Sequence, residues 1–86
     1  MDISIELTLM PLQDNYKVYI IDFIERLRLS GFKIEENGLS TQVFGDYDVL
    51  MLCVTKELKV SFEKANAIMA NMKIVKTDRS RYEPSF

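Results

Sequence analysis

The chain has 86 residues and a mass near 10 kDa, which allows one domain and excludes a second independent core. With 48% hydrophobic and 28% charged residues, and 11 Lys and Arg against 13 Asp and Glu, it is neither disordered nor basic enough to read nucleic acid, since no basic block neutralises a run of phosphates. Histidine is absent, so the usual general base near neutral pH and the commonest transition-metal ligand are missing together, and triads and zinc sites lose their footing. At this size folding hides only ~60–65% of the unfolded surface, which makes association with further copies a natural way to hide more.

The N-terminus, Met1 to Glu6, carries no basic n-region and no apolar h-region, and no apolar stretch is long enough to span a bilayer. A cytoplasmic protein without membrane contact is expected. From Ile3 to Leu9 apolar and polar residues alternate, with Ile3, Ile5, Leu7 and Leu9 on one face and Ser4, Glu6 and Thr8 on the other, the pattern of a half-buried strand closed by Pro11. Asp14 or Asn15 is placed to cap a helix from about Asn15 to Ser30, whose apolar positions Ile20, Phe23, Ile24 and Leu27 recur at helical spacing. Gly31 suits the C′ position.

A short strand, Phe32 to Glu36, precedes Asn37-Gly38, the two residues that best tolerate positive φ in a type I′ hairpin turn. A third strand, Leu39 to Phe44, is broken by Gly45. Asp46 then caps a second helix running to about Glu63, with Tyr47, Leu50, Met51, Val54, Leu58 and Phe62 as its apolar stripe. The lone Cys53 lies in the apolar run Val49 to Val54, where a buried, inert thiol is the default. Val49, Leu52, Cys53 and Val60 form a second strip on the outer side of this helix, more than core contact requires. After a turn at Ala65 and Asn66, the last strand, Ala67 to Lys76, places Ile68, Ala70, Met72 and Ile74 on one face and Met69, Asn71, Lys73 and Val75 on the other.

The expected architecture is α+β, the ferredoxin-like βαββαβ arrangement, with a four-stranded antiparallel sheet and two helices on one face. Strands one and three are expected side by side at the centre as a parallel pair, strand four beside strand one and strand two beside strand three. Residues 1–78 form the domain and 79–86 a polar tail that frays unless a partner pins it.

The face opposite the helices is left bare. It mixes Met10, Phe44, Met69 and Val75 with polar groups, a composition that marks an interface. At its centre Glu6, Gln42, Asn71 and Lys73 converge on three adjacent strands, as polar groups do in a ligand site. A carboxylate held there needs a partner, for which Lys73 is the candidate. A one-residue slip in the third strand would exchange Gln42 for Thr41.

Glu6-Leu7-Thr8-Leu9-Met10-Pro11, Ser30-Gly31-Phe32, Leu39-Ser40-Thr41-Gln42-Val43-Phe44-Gly45 and Lys73-Ile74-Val75-Lys76-Thr77-Asp78-Arg79, in this order and spacing, resemble the small thiamine-binding protein family over nearly the whole chain. The resemblance implies the same βαββαβ fold, no catalysis, and sheets packed into dimers or tetramers that bind thiamine or its hydroxymethylpyrimidine portion at an interface. By position, Glu6 falls on the family's strand-one acidic residue and Thr41 on its strand-three threonine. The chain departs at Phe44, where many relatives carry Glu, and at Ile34, where many carry Tyr.

An aminopyrimidine needs an acceptor for its exocyclic amine, donors for its ring nitrogens and an apolar surface for its flat face. Glu6, Thr8, Ser40, Thr41, Gln42, Phe44, Asn71 and Lys73 are therefore the candidate ligand-binding residues, with no metal and no cofactor expected. The alternative is a purely structural or regulatory homo-oligomer. An enzyme is the weakest class, because its chemistry would have to run on Glu6 and Lys73 alone.

Overall fold

The computed structural model describes residues 1–86. Six elements follow in the order β1 (Asp2–Pro11), α1 (Tyr16–Arg28), β2 (Lys33–Glu36), β3 (Thr41–Asp46), α2 (Tyr47–Lys64) and β4 (Ile68–Lys76). The strands form one sheet in the order β2-β3-β1-β4, antiparallel at every junction. This is the ferredoxin-like α+β fold, with one correction at its centre. β1 and β3 are antiparallel rather than parallel, because each helix crossover joins strands that are not neighbours, and the hairpin after β2 reverses β3 before it reaches β1.

Alternation along β1 decides where the core lies. Ile3, Ile5 and Leu7 are almost fully buried and meet Phe23 and Leu27 of α1, Val43 of β3, and Leu50 and Val54 of α2 in one cluster. The stripe expected for α2 shifts at its C-terminal end, where Phe62 stays exposed and Ser61 is buried in its place; Tyr47, the first residue of the helix, is exposed as well. The cause is Arg26 of α1. Its guanidinium donates to Ser61 Oγ at 2.6 Å, to the Glu57 carbonyl at 2.9 Å and to the Glu57 carboxylate, and also pairs with Asp22 at 3.0 Å. A polar residue is therefore worth more than an aromatic one at that helix crossing.

The local signals at three other points are replaced by longer-range ones. Asn15 takes a left-handed conformation with φ 62° and its side chain caps nothing; Gln13 instead ties this corner to the turn before β4, its Oε1 accepting from the Asn66 and Ala67 amides. α1 ends at Arg28 with Leu29 as its C-cap, and Gly31, with φ +88°, lies one residue beyond the C′ position expected for it. The Asn37-Gly38 turn is a four-residue loop rather than a type I′ turn. Glu36 pairs with Thr41, and Asn37 Oδ1 accepts from the Leu39 and Ser40 amides, so the Asn side chain closes the loop without positive φ.

Consequently β3 begins two residues later than Leu39 and runs through Gly45, which pairs with Ile3. Gly45 does not break the strand. A Cβ there would lie 2.7 Å from Phe32 Cδ1, so the glycine lets the Phe32 ring lie against the strand backbone. Asp46 caps α2 as expected, accepting from the Val49 amide and from the N-terminal ammonium. Cys53 is half-buried rather than buried, and burial pushes its thiol above the ordinary value.

Gly45→Ala is expected to cost about 1–3 kcal/mol by overpacking against Phe32, measured by urea unfolding. The cost should shrink in the Phe32→Leu background, because the two changes share one contact. Acid should weaken the fold modestly through its paired carboxylates. Burial alone would raise Asp22, but hydrogen bonds from Lys64 and Arg26 outweigh it and hold the group below 3.8; Arg28 likewise lowers Glu36 below 4.5, and the N-terminal ammonium lowers Asp46 below 3.8. Groups depressed in the folded state stabilise it above their unfolded values and lose that contribution as pH falls through their folded values. The urea midpoint should therefore stay flat from about pH 5 to 7 and fall below about pH 4.

Candidate functional site

On the face away from the helices, the register builds rows across the sheet. Glu6 sits opposite Gln42 on one side and Lys73 on the other; Ser4 sits opposite Phe44 and Val75; Thr8 faces Asn71 and Met10 faces Met69. Residues directly paired across antiparallel strands share a face, so Glu6, Gln42, Phe44, Asn71 and Lys73 lie together as the alternation expects. β2 extends the rows with Glu35 beside Gln42 and Lys33 beside Phe44.

The register also settles the slip left open in the third strand. Thr41 pairs with Leu7, which is on the helix side, and is itself buried. It does not reach the open face. Thr41 instead lines a separate, mainly apolar cleft of about 380 Å³ between α1 and the Asn37–Ser40 loop, with Ile20, Phe23 and Leu39 among its walls. Thr8 and Ser40 reach that cleft too, because β1 runs on past the start of β3 and leaves a gap there.

A depression of about 520 Å³ lies over the middle of the open face, lined by Ser4, Glu6, Gln42, Phe44, Lys73, Val75 and Arg79 among others. A smaller one of about 150 Å³ adjoins it at Glu6, Thr8, Asn71 and Lys73. The carboxylate at the centre is held from the β3 side. Ser40 Oγ donates to Glu6 Oε2 at 3.0 Å and in turn accepts from Gln42 Nε2 at 3.1 Å. Glu6 and Lys73, although opposite one another in register, form no ion pair. Ser40, reaching Glu6 across the start of β3, takes the role expected of Lys73.

The upper end of this face is less bare than its sequence suggests. Ser4 and Phe44 are each only 7% exposed, so little of the Phe44 ring is open to the depression. The chain leaving β4 turns back there. Thr77, with φ 120°, donates its amide to the Asp2 carbonyl and accepts from Ser4 Oγ at 2.8 Å, and Ser4 Oγ accepts from the Arg79 amide at 2.8 Å. A β-branched residue at positive φ is strained, and three bonds to β1 hold it. The segment after β4 is thereby pinned by its own domain, and Arg79, its guanidinium over the Tyr82 ring, becomes a wall of the depression. No sequence period could have placed Arg79, because its position follows from the Ser4 contact and not from strand alternation.

No protein-family model matches the sequence, and no curated protein matches it. Solved structures do. A protein from Thermotoga maritima, named as a candidate thiamine biosynthesis/salvage protein, superposes with TM-score 0.81 at 18% identity, over 90% of this chain and 85% of that one. A structural-genomics protein from Streptococcus pneumoniae gives TM-score 0.85 at 25% identity, over 94% of this chain and 92% of that one. A domain of unknown function from Bacillus cereus gives 0.75 at 20% identity, over 99% and 79%. These likenesses establish the shared fold.

If Ser40 is what holds Glu6, Ser40→Ala should lower stability by about 1 kcal/mol, the scale of a hydrogen bond to a charged group partly open to water. Lys73→Met, which breaks no ion pair, should be neutral within about 0.5 kcal/mol. Urea unfolding of the two variants side by side checks both.

Proposed function

We propose that this chain is a binding module, without turnover, for a flat amine-bearing heterocycle, with thiamine or its hydroxymethylpyrimidine portion first among candidates. The observation that carries the reading is the Glu6 carboxylate at the centre of the open sheet face. It is oriented by Ser40 through Oε2, while Oε1 has no hydrogen-bond partner in the protein. A fixed carboxylate oxygen facing a depression is a ready acceptor for an exocyclic amine and suits a cationic thiazolium ring. Gln42 and Asn71 supply amide donors beside it, and Val75 with the accessible edge of Phe44 supplies apolar surface. The Thermotoga maritima protein of the same fold is named for thiamine biosynthesis or salvage, which puts thiamine first among the ligands to try.

A second reading, a structural homo-oligomer without a ligand, is favoured by a different observation. Met10 and Met69 face one another on the open side and remain 45% and 43% exposed, an apolar pair suited to packing against another sheet.

Calorimetric titration with thiamine, hydroxymethylpyrimidine and close analogues separates the two. Binding tighter than about millimolar is expected, and Glu6→Gln should weaken it by ~1.5–3 kcal/mol, the worth of a charged hydrogen bond, with the fold intact. If no analogue binds by that limit, the ligand reading fails and the oligomer reading stands.

A further inference from the structure

The charges on the wall of the main depression are opposite in balance to those of the whole chain. Two cations, Lys73 and Arg79, stand there with one carboxylate, Glu6, whereas the chain carries a net charge of −2. Neither cation has a carboxylate within ion-pair distance. Glu6, opposite Lys73 in register, is drawn toward β3 by Ser40, and Asp78, the neighbour of Arg79 in sequence, accepts from the Ser80 amide instead. Both positive heads are therefore left to whatever enters the depression.

Their placement is fixed by the sheet. Lys73 lies on the strand beside Glu6, about 5 Å across, and Ser4 lies two residues from Glu6 along β1, about 7 Å away at the usual rise. Ser4 Oγ accepts from the Arg79 amide at 2.8 Å, and the Arg79 guanidinium lies 4.9 Å from the centroid of the Tyr82 ring, so this side chain is held at its base and supported at its head. Val75, opposite Ser4 on β4, supplies the apolar floor between the two cations. The depression is thus acidic at its centre and basic toward β4 and the segment after it.

We propose that the depression takes its heterocycle as a phosphomonoester, with the amine on Glu6 and the phosphate between Lys73 and Arg79. The proposal rests on the ligand reading above and adds the anionic half of the ligand to it. A phosphomonoester offers three terminal oxygens, which an ammonium and a guanidinium approaching from two sides can share, whereas a carboxylate would be satisfied by the guanidinium fork alone. The shape agrees as well. In hydroxymethylpyrimidine the amine and the hydroxymethyl group sit on neighbouring ring carbons, so the ester projects beside the amine, as Lys73 stands beside Glu6.

Calorimetric titration of the full chain with hydroxymethylpyrimidine and with its phosphate ester gives a ratio of affinities that tests this. The ester is expected to bind ~10-fold or more tightly, the scale of one charge-assisted hydrogen bond. That preference should shrink as NaCl is raised from about 50 to about 500 mM, because partly exposed charges are screened. Lys73→Met combined with Arg79→Gln should bring the ratio to within about twofold of one, with circular dichroism unchanged, since the Arg79 amide that Ser4 holds is kept. Should the double variant unfold, Lys73→Met alone, which breaks no ion pair, should still lower the ratio about threefold or more. Glu6→Gln should weaken both compounds and leave the ratio at or above its wild-type value. A parent pyrimidine that binds with no gain for the ester, or a gain that survives the lysine and arginine substitutions, overturns the phosphate site and leaves the ligand reading standing. If phenyl phosphate, an ester without the amine, binds as tightly as the pyrimidine ester, the phosphate site stands and the amine's place on Glu6 falls. Binding by none of the three overturns both.

Discussion

Everything in this structure depends on β1 keeping an unbroken antiparallel register with both of its neighbours, from Asp2 to Leu7 against β3 and from Ile3 to Pro11 against β4. Because side chains alternate along a strand, that single register commits Ile3, Ile5 and Leu7 to the core and Ser4, Glu6 and Thr8 to the open face in one step. A slip by one residue would bury a carboxylate and expose three large aliphatic side chains, each worth ~1.5–3 kcal/mol when buried. The core therefore holds the site in place: Glu6 faces the depression because Ile5 and Leu7 cannot.

The charged groups divide into those that hold the fold and those left for other work. Arg26 joins α1 to α2 through Asp22, Glu57 and Ser61, in surroundings where its charge is only about one-fifth exposed. Such a pair fixes how two helices cross more than it adds net stability, since desolvation offsets much of the attraction. Arg28 with Glu36 and Lys64 with Asp22 lie at the surface and add little. Lys73 and Arg79, by contrast, line the depression without any carboxylate partner, and Glu6 is drawn toward β3 by Ser40. The open face thus keeps separated charges that the fold has not consumed.

The fold itself argues for no particular chemistry. The proteins from Thermotoga maritima, Streptococcus pneumoniae and Bacillus cereus share it with this chain at 18–25% identity, enough to fix the path of the backbone and too little to carry over a side chain's role. The functional reading accordingly rests on Glu6, Ser40 and Gln42, which can be named and changed one at a time.

The sequence alone determined the order of elements, the core face of β1, the stripe of α1 and the cap of α2, because each is written in a local period or a single capping residue that tertiary contacts reinforce. It also assembled Glu6, Gln42, Asn71 and Lys73 on one face, since strand alternation is a local rule. Tertiary structure decided the rest. The Asn37 side chain replaced the expected turn and moved the start of β3, which left Ser40 in the loop within reach of Glu6, while the paired register kept Gln42 and not Thr41 on the open face. Phe32 made Gly45 a place of close packing within the strand, and Ser4 captured the segment carrying Arg79 from 75 residues away. Each of these depends on a contact between residues distant in the chain, whose geometry exists only once the sheet has formed.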